Sequence, residues 1–464
     1  MSTSSDQTGA AAAGEAQDPR LDRQVRIPGW DQEGLARARV GVAGDDPWLT
    51  GLFVAAAAAL GLNRLTVVAP ELEPRLLTAA RGLHPELELA FFPGHFSHFL
   101  LEDLFAGCDL LVDLGHHALA TKLLLNLARS QDLPLVRSYG YEEEGAAGVR
   151  LFTYRRGREW GDLLQVLPPR QLPAVHRGDP ALALVIAGLA LEETKKLLLG
   201  EPVTPEVASY LGAGAPGAPG FPGDPGDQGA PLYPGPLSSP AREHGGPPQE
   251  ILTSGQIAPL AVVGAGALGN FVGLGLAALG FSRLTFFDPD PVEITNLNRQ
   301  ILFWDAVGKP KAQTLAERLR EWFGVTAAAE PALVTRNTDL SAFLGVFDCT
   351  DNFESRIILS EACRRGRQVL ISGGTGVSAG QAVLYDPARD GPTPAELLGL
   401  YDIVGRREAQ VPERQRASCL YAPEPAVIMT NQIIGGLMVD LFRRWAAGEA
   451  PPNLFYDALG ERLI

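Results

Sequence analysis

The chain has 464 residues, enough for two large domains or three ordinary ones, and 46% of them are apolar, so it can bury a sizeable core. With 39 Lys and Arg against 54 Asp and Glu, the net charge of −15 argues against broad binding to nucleic acid or to an anionic membrane, while leaving room for a local basic pocket. Four cysteines (Cys108, Cys349, Cys363 and Cys419) with no CxxC spacing exclude a disulfide scaffold, and no structural zinc is expected.

Residues 1–20 are small and polar, with no basic start and no apolar block, and read as a disordered tail, not a signal peptide. A cytoplasmic location is the default expectation. From Arg39 the pattern RVGVAGDDPWLTGLFVAAAAALGLNRLTVVAP reads as strand, turn, apolar helix and strand. Residues 206–250 are rich in Gly and Pro, and Gly214, Gly217, Gly220, Gly223, Gly226 and Gly229 fall at every third position. Six triplets are few for a triple helix. An extended spacer is expected, with chain trimerisation through this segment as the alternative.

From Leu260 the first pattern returns as LAVVGAGALGNFVGLGLAALGFSRLTFFDPD. Later pieces match in the same order: CDLLVDLGHH with VFDCTDN, and DPALALVIAGLALEETKKLLL with EPAVIMTNQIIGGLMVDLFRR. A repeat of about 200 residues is a duplicated domain, and strands alternating with helices imply parallel, doubly wound sheets. The boundaries read as 1–20 tail, 21–205 first domain, 206–250 linker and 251–464 second domain. Residues 261–281 are long and apolar enough to cross a bilayer, but their glycines and the acid-ended strand that follows favour strand, turn and helix.

Gly264, Gly266 and Gly269 follow a strand and open a helix, the context of a nucleotide-binding turn. The glycines admit phosphate close to the backbone, and the helix start offers unpaired N–H groups. Asp288 ends the next strand, where a carboxylate can hold a ribose. Alone this does not separate a nicotinamide dehydrogenase from an ATP user. Arg299 and Lys311 follow, as an enzyme releasing pyrophosphate requires, and Asp351 stands at a strand end where it can place Mg²⁺.

In these motifs the sequence resembles the adenylyltransferases that activate ubiquitin-like and sulfur-carrier proteins. The glycine turn, the block from Asp288 to Gln300, the segment from Val307 to Ala312 and the run from Asp348 to Asn352 carry the resemblance, over about 255–445. It implies ATP and Mg²⁺ as cofactors, with Gly264, Gly266, Gly269, Asp288, Asp290, Asn296, Asn298, Gln300 and Asn352 binding the nucleotide. Arg299, Lys311 and Asp351 would act in catalysis, Asp351 as the metal ligand. The implied partner is a carrier protein with a C-terminal glycine tail, with a conjugating enzyme or sulfurtransferase downstream.

The first copy has lost these parts. Asp45 and Asp46 stand where phosphate would sit, Ala69 replaces the ribose acid, and VDLGHH replaces the metal-acid run. It keeps an element before its first strand, RQVRIPG, that the second copy lacks. In the family a similar arginine reaches across a two-fold interface, so the resemblance makes Arg23 a finger delivered within one chain. The implied architecture is α/β, two Rossmann-like domains in an intrachain pseudo-dimer, the first inactive. His116 and His117 read as a strand-end pair, not a metal site.

Cys419 lies between Arg414 and Arg416 and the last helix, where some family members take the activated carrier as thioester or persulfide and others do not. A thiol step there stays open. Other readings are a peptide- or tRNA-modifying adenylyltransferase of the same fold, and a non-catalytic nucleotide-binding scaffold.

Overall fold

The computed structural model describes residues 18–96, 101–143, 146–156, 176–205, 207–212, 229–231, 258–410 and 424–458. Residues 1–17, most of the expected linker and Cys419 lie outside the described residues.

The first half opens with helices α1 (Asp22–Val25) and α2 (Gln32–Arg37). Its sheet comprises β1 (Arg39–Gly44), β2 (Arg64–Ala69), β3 (Glu88–Pro93), β4 (Leu110–Leu114), β5 (Leu135–Glu143), β6 (Ala146–Tyr154), β7 (Val207–Leu211) and β8 (Gly229–Pro231). The order is β3-β2-β1-β4-β5-β6-β7-β8, parallel through β5 and antiparallel across β5–β6–β7. Helices α3 (Pro47–Leu60), α4 (Pro74–Leu83), α5 (Ala118–Ser130) and α6 (Pro180–Leu199) accompany it.

The second half repeats the plan. Its strands are β9 (Leu260–Val263), β10 (Arg283–Phe287), β11 (Thr326–Glu330), β12 (Gly345–Asp348), β13 (Val369–Thr375), β14 (Ala379–Tyr385) and β15 (Leu454–Asp457), in the order β11-β10-β9-β12-β13-β14-β15. Helices α7 (Ala267–Ala278), α8 (Lys311–Phe323), α9 (Phe353–Gly366), α10 (Leu400–Gln410) and α11 (Ile428–Ala446) complete it. Residues 261–281 are thus strand, turn and helix. Among the described residues no helix is long and apolar enough to cross a membrane.

One boundary differs from the sequence reading. Val207–Leu211, assigned there to the linker, is strand β7, paired antiparallel with β6 as β15 pairs with β14. Its apolar side chains explain this: Val207, Ala208 and Tyr210 are buried, and the Tyr210 hydroxyl donates to Asp440 of the second half. Glycine and proline dominate only the residues that follow.

The two halves share one core. Helix α6 is buried from Ala181 through Lys196 and packs on α11, its counterpart in the repeat. Its stretch from Ala181 to Leu191 is apolar all round and needs cover on both sides, here its own sheet and the other half. Arg443 of α11 pairs with Asp179, the residue that caps α6.

Candidate functional site

The registers of the two sheets align the halves residue by residue. Ala43 pairs with Asp113 and Val68, and Val263 pairs with Asp348 and Phe287. Gly44 therefore matches Gly264, Asp46 matches Gly266, Ala69 matches Asp288 and His116 matches Asp351.

In the second half the turn after β9 requires glycine. Gly264 has φ +95°, and a Cβ there would lie 2.6 Å from the Cys349 carbonyl oxygen. Gly266 is the N-cap of α7 and supplies no capping side chain, so the first N–H groups of the helix face a cleft of about 650 Å³. Both halves line it. Arg23 comes from the first half, and Asp288, Asp290, Asn296, Arg299, Gln300, Lys311, Asp351 and Asn352 from the second.

The cleft is rich in cations whose needs are incompletely met. Arg299 donates to the Thr295 carbonyl at 2.8 Å and to Asn298 Oδ1 at 2.7 Å. Burial lowers its pKa to about 10, with Arg23 adding to the drop and Asp351 and Glu293 opposing it. Arg23 donates through Nη1 to the Glu424 carbonyl at 3.2 Å, while its Nε is buried with no partner. Lys311 opens α8 and meets Asp290 Oδ2 at 3.1 Å. The Gln300 side chain is buried, and its Oε1 also has no partner. Two adjacent guanidiniums with a free buried donor form a site suited to an anion.

Asp288 accepts from the backbone N–H of Ala265 at 2.8 Å and of Asp290 at 2.9 Å, one on each oxygen. Burial raises its pKa, and Lys311 opposes that rise. Asn296 and Glu293 form a capping box at the short helix over Ile294–Asn296, which orders this edge of the cleft. Asp351 is exposed, three residues beyond β12.

Two expected nucleotide ligands stand elsewhere. Asn298 is fully buried behind the cleft, where its Nδ2 reaches Gln24 Oε1 and the Ala426 carbonyl, both at 3.2 Å. It ties the segment of Arg23 to the second half. Gly269 lies inside α7, and a Cβ there would collide with the Gly264 carbonyl oxygen, so it packs the turn against the helix. Cys419 lies outside the described residues. The cleft also holds residues the sequence reading missed, including Arg356, Gln381, Glu424 and Asn431. A signal existed for Arg356 alone: it sits four residues after the N-cap Asn352, where the helix dipole disfavours a cation.

The matching crevice of the first half is filled by its own side chains. Asp46 caps α3, accepting from Trp48 N at 2.9 Å and Leu49 N at 3.1 Å, the donors a phosphate would need. Asp45 accepts from His116, through the backbone N–H at 2.6 Å and Nδ1 at 2.9 Å. Asp113 pairs with buried Arg137. Among the described residues no group of His, Cys, Asp and Glu is placed to hold a metal ion.

Residues 248–460 match the ThiF family. The chain is 37% identical over 152 residues to the adenylyltransferase and sulfurtransferase MOCS3 of Anopheles gambiae, covering 31% of this chain and 34% of that protein. The Mus musculus protein of the same name is 35% identical over 133 residues, covering 28% and 29%. The chain thus spans about a third of the length of the curated relatives it matches. A crystal structure of E. coli MccB with succinimide aligns with 44% of this chain and 59% of its own, at 20% identity and a TM-score of 0.35.

Proposed function

We propose that the chain is an ATP-dependent adenylyltransferase that activates the C-terminal carboxylate of a ubiquitin-like or sulfur-carrier protein. The observation that carries this reading is the cleft itself: a bare helix start at Gly266, flanked by Arg299 and Lys311, with Arg23 supplied by the other half. The N–H groups of α7 would take a phosphate, and Asp288 the ribose hydroxyls. Arg23, Arg299, Lys311, Asn296 and Gln300 would surround the polyphosphate, with Asp290 orienting Lys311 and Asn352 closing the edge. Mg²⁺, held by Asp351 and by the phosphates themselves, would neutralise charge on the leaving pyrophosphate. One protein carboxylate fits such a metal, which takes most of its ligands from substrate and water.

The reaction needs no protein nucleophile. A carboxylate oxygen of the carrier attacks the α-phosphorus, the bond to the β-phosphate bridging oxygen breaks, and acyl-adenylate and pyrophosphate form. The protein contributes alignment, of order 7–11 kcal/mol at best, and cations where charge accumulates. The first half, its phosphate donors taken by Asp46, binds no nucleotide and serves the second. Burial pushes the Cys108 thiol up to about 11, Cys363 to about 12 and Cys349 well above the usual range, so any capture of the acyl group falls to Cys419. A sulfurtransferase or conjugating enzyme would then follow, in the cytoplasm.

The test is incubation with α-labelled ATP, Mg²⁺ and candidate carriers with and without their terminal glycines. Carrier-dependent release of pyrophosphate, lost with the glycines, supports the reading. Nucleotide binding without turnover for any carrier would leave a scaffold instead.

A further inference from the structure

Within the second half the cleft continues past Asp351 to the ends of β13 and β14, and there it holds a second unsatisfied cation. Arg356 is 7% exposed. Its Nη2 donates to the Thr350 carbonyl at 2.9 Å, its Nε has no partner, and among the described residues no carboxylate pairs with it. A guanidinium buried without a counter-ion costs several kcal/mol, so the position implies an anion or strong acceptor that arrives with substrate. Its place in the first turn of α9 deepens the cost, because the helix dipole opposes it.

The guanidinium does not stand alone. A Cβ on Gly374 would lie 2.7 Å from Arg356 Nη1 and would collide with the Gln381 side-chain amide, so both heads hang over a bare stretch of β13. Gly374 and Gln381 face each other in the antiparallel pair, which fixes the amide beside the guanidinium. Thr375 and Gly376 continue the lining without bulk.

Resting on the adenylation reading, we propose that Arg356 and Gln381 form the acyl side of the site. They hold the terminal carboxylate of an extended peptide ending in glycine. One carboxylate oxygen attacks the α-phosphorus, while the other stays on the Arg356 and Gln381 donors and becomes the carbonyl oxygen of the acyl-adenylate. Gly374 makes space for the two heads themselves, and Gly376, where a Cβ would meet only the Ala379 carbonyl oxygen at 3.4 Å, leaves room for a glycine tail. The Arg356 anchor on Thr350, the neighbour of Asp351, sets the acyl group beside the metal-holding residue.

The test compares two probes on the full chain: AMP, and a glycylglycyl sulfamoyl-adenosine that mimics the acyl-adenylate. The intact protein should bind the mimic at least about tenfold more tightly than AMP, the worth of one charge-assisted hydrogen bond. Arg356→Met and Gln381→Leu should each remove most of that margin with AMP affinity unchanged, and Arg356→Lys should restore part of it. A margin that survives both substitutions, or one in which AMP affinity falls in parallel, overturns the assignment. Should Arg356→Met fail to fold for want of its bond to Thr350, Gln381→Leu decides alone. An intact protein that binds no AMP would instead overturn the adenylation reading, and this inference with it.

Discussion

The two halves differ most simply at the residue that caps the first helix, Asp46 in one and Gly266 in the other. Gly266→Asp should therefore convert the second half toward the first, with opposite effects on stability and binding. The backbone at Gly266 has φ −72° and ψ −150°, open to any residue, and a Cβ would meet nothing closer than Gln300 Nε2 at 3.8 Å. An aspartate would accept from the free N–H groups of α7 as Asp46 does in α3. Capping gains a few tenths of a kcal/mol over glycine, and a negative charge at the helix start adds about 0.3–1 kcal/mol. The melting temperature should rise by roughly 1 °C. A nucleotide phosphate would then meet a carboxylate about 4 Å away, a repulsion of about 4 kcal/mol at an effective dielectric near 20, or about a thousandfold in affinity. Gly266→Asn serves as the control, because it caps and fills the same space without charge. Calorimetric titration with AMP at low and high salt separates the two, since only the charge effect is screened. Equal affinities for the Asp and Asn variants would refute the placement of phosphate on α7.

Arg23→Ala should cut carrier-dependent ATP–pyrophosphate exchange at least about tenfold. It should also return the depressed Arg299 pKa part of the way to normal, because Arg23 contributes to that depression. Asp351→Asn should abolish Mg²⁺-dependent adenylate formation yet leave metal-free nucleotide binding in place, read by exchange and by titration with EDTA present. Gly264→Ala should lower stability by at least about 1–2 kcal/mol in urea unfolding, since φ is +95° and the obstructing atom is backbone. His84 tests the first half. Burial, and then Arg20, lower its pKa from 6.5 to about 4, so the folded protein keeps the ring neutral while the unfolded chain takes up a proton below pH 6.5. Stability is complete above that pH and should fall by about 2 kcal/mol on the way to pH 4, allowing for partial solvent screening. Urea unfolding at pH 7 and pH 4.5 should show the loss, and His84→Gln should remove most of it.

Much of the site was readable because the nucleotide turn is a local object. The glycine spacing, the acid after β10 and the cations beyond it lie in one run of sequence, and the fold gathers them by a single right-handed crossover. The repeat also lets the differences of the first half be read by alignment: Asp46 stands at the helix start, where in addition it accepts from the Trp48 and Leu49 N–H groups, which the sequence did not foretell. What was not legible depends on contacts between distant segments. Gln381 is an ordinary strand residue until β13 sets Gly374 opposite it. Asn298 lies in the same motif as Arg299, yet it turns away from the cleft to bind Gln24, and periodicity offers no sign of that at a short helical corner. Strand β7 is not evident because the average composition of residues 206–250 conceals a run of five residues of which only Ser209 is polar.

On the proposed reading the first half binds no nucleotide itself and serves the second in two ways that the interface makes inseparable. Helix α6 cannot be left uncovered: from Ala181 to Leu191 it is apolar on every side, and Ile433 of α11 fits so close to Gly188 that a Cβ there would lie 2.7 Å from Cγ1. The same docking fixes the entry of Arg23. Gln24, next to it, donates to the Leu60 carbonyl of the first half at 2.8 Å and accepts from Asn298 of the second at 3.2 Å. A guanidinium placed this way would cost less to order around a bound anion, because the core has already immobilised its neighbour. In a symmetric pair each site would need such an arm from the other subunit. Here the chain carries the arm once, ahead of β1, and it reaches the cleft whose helix start is free. The first crevice, closed by Asp45, Asp46 and His116, therefore takes no cation from the second cleft.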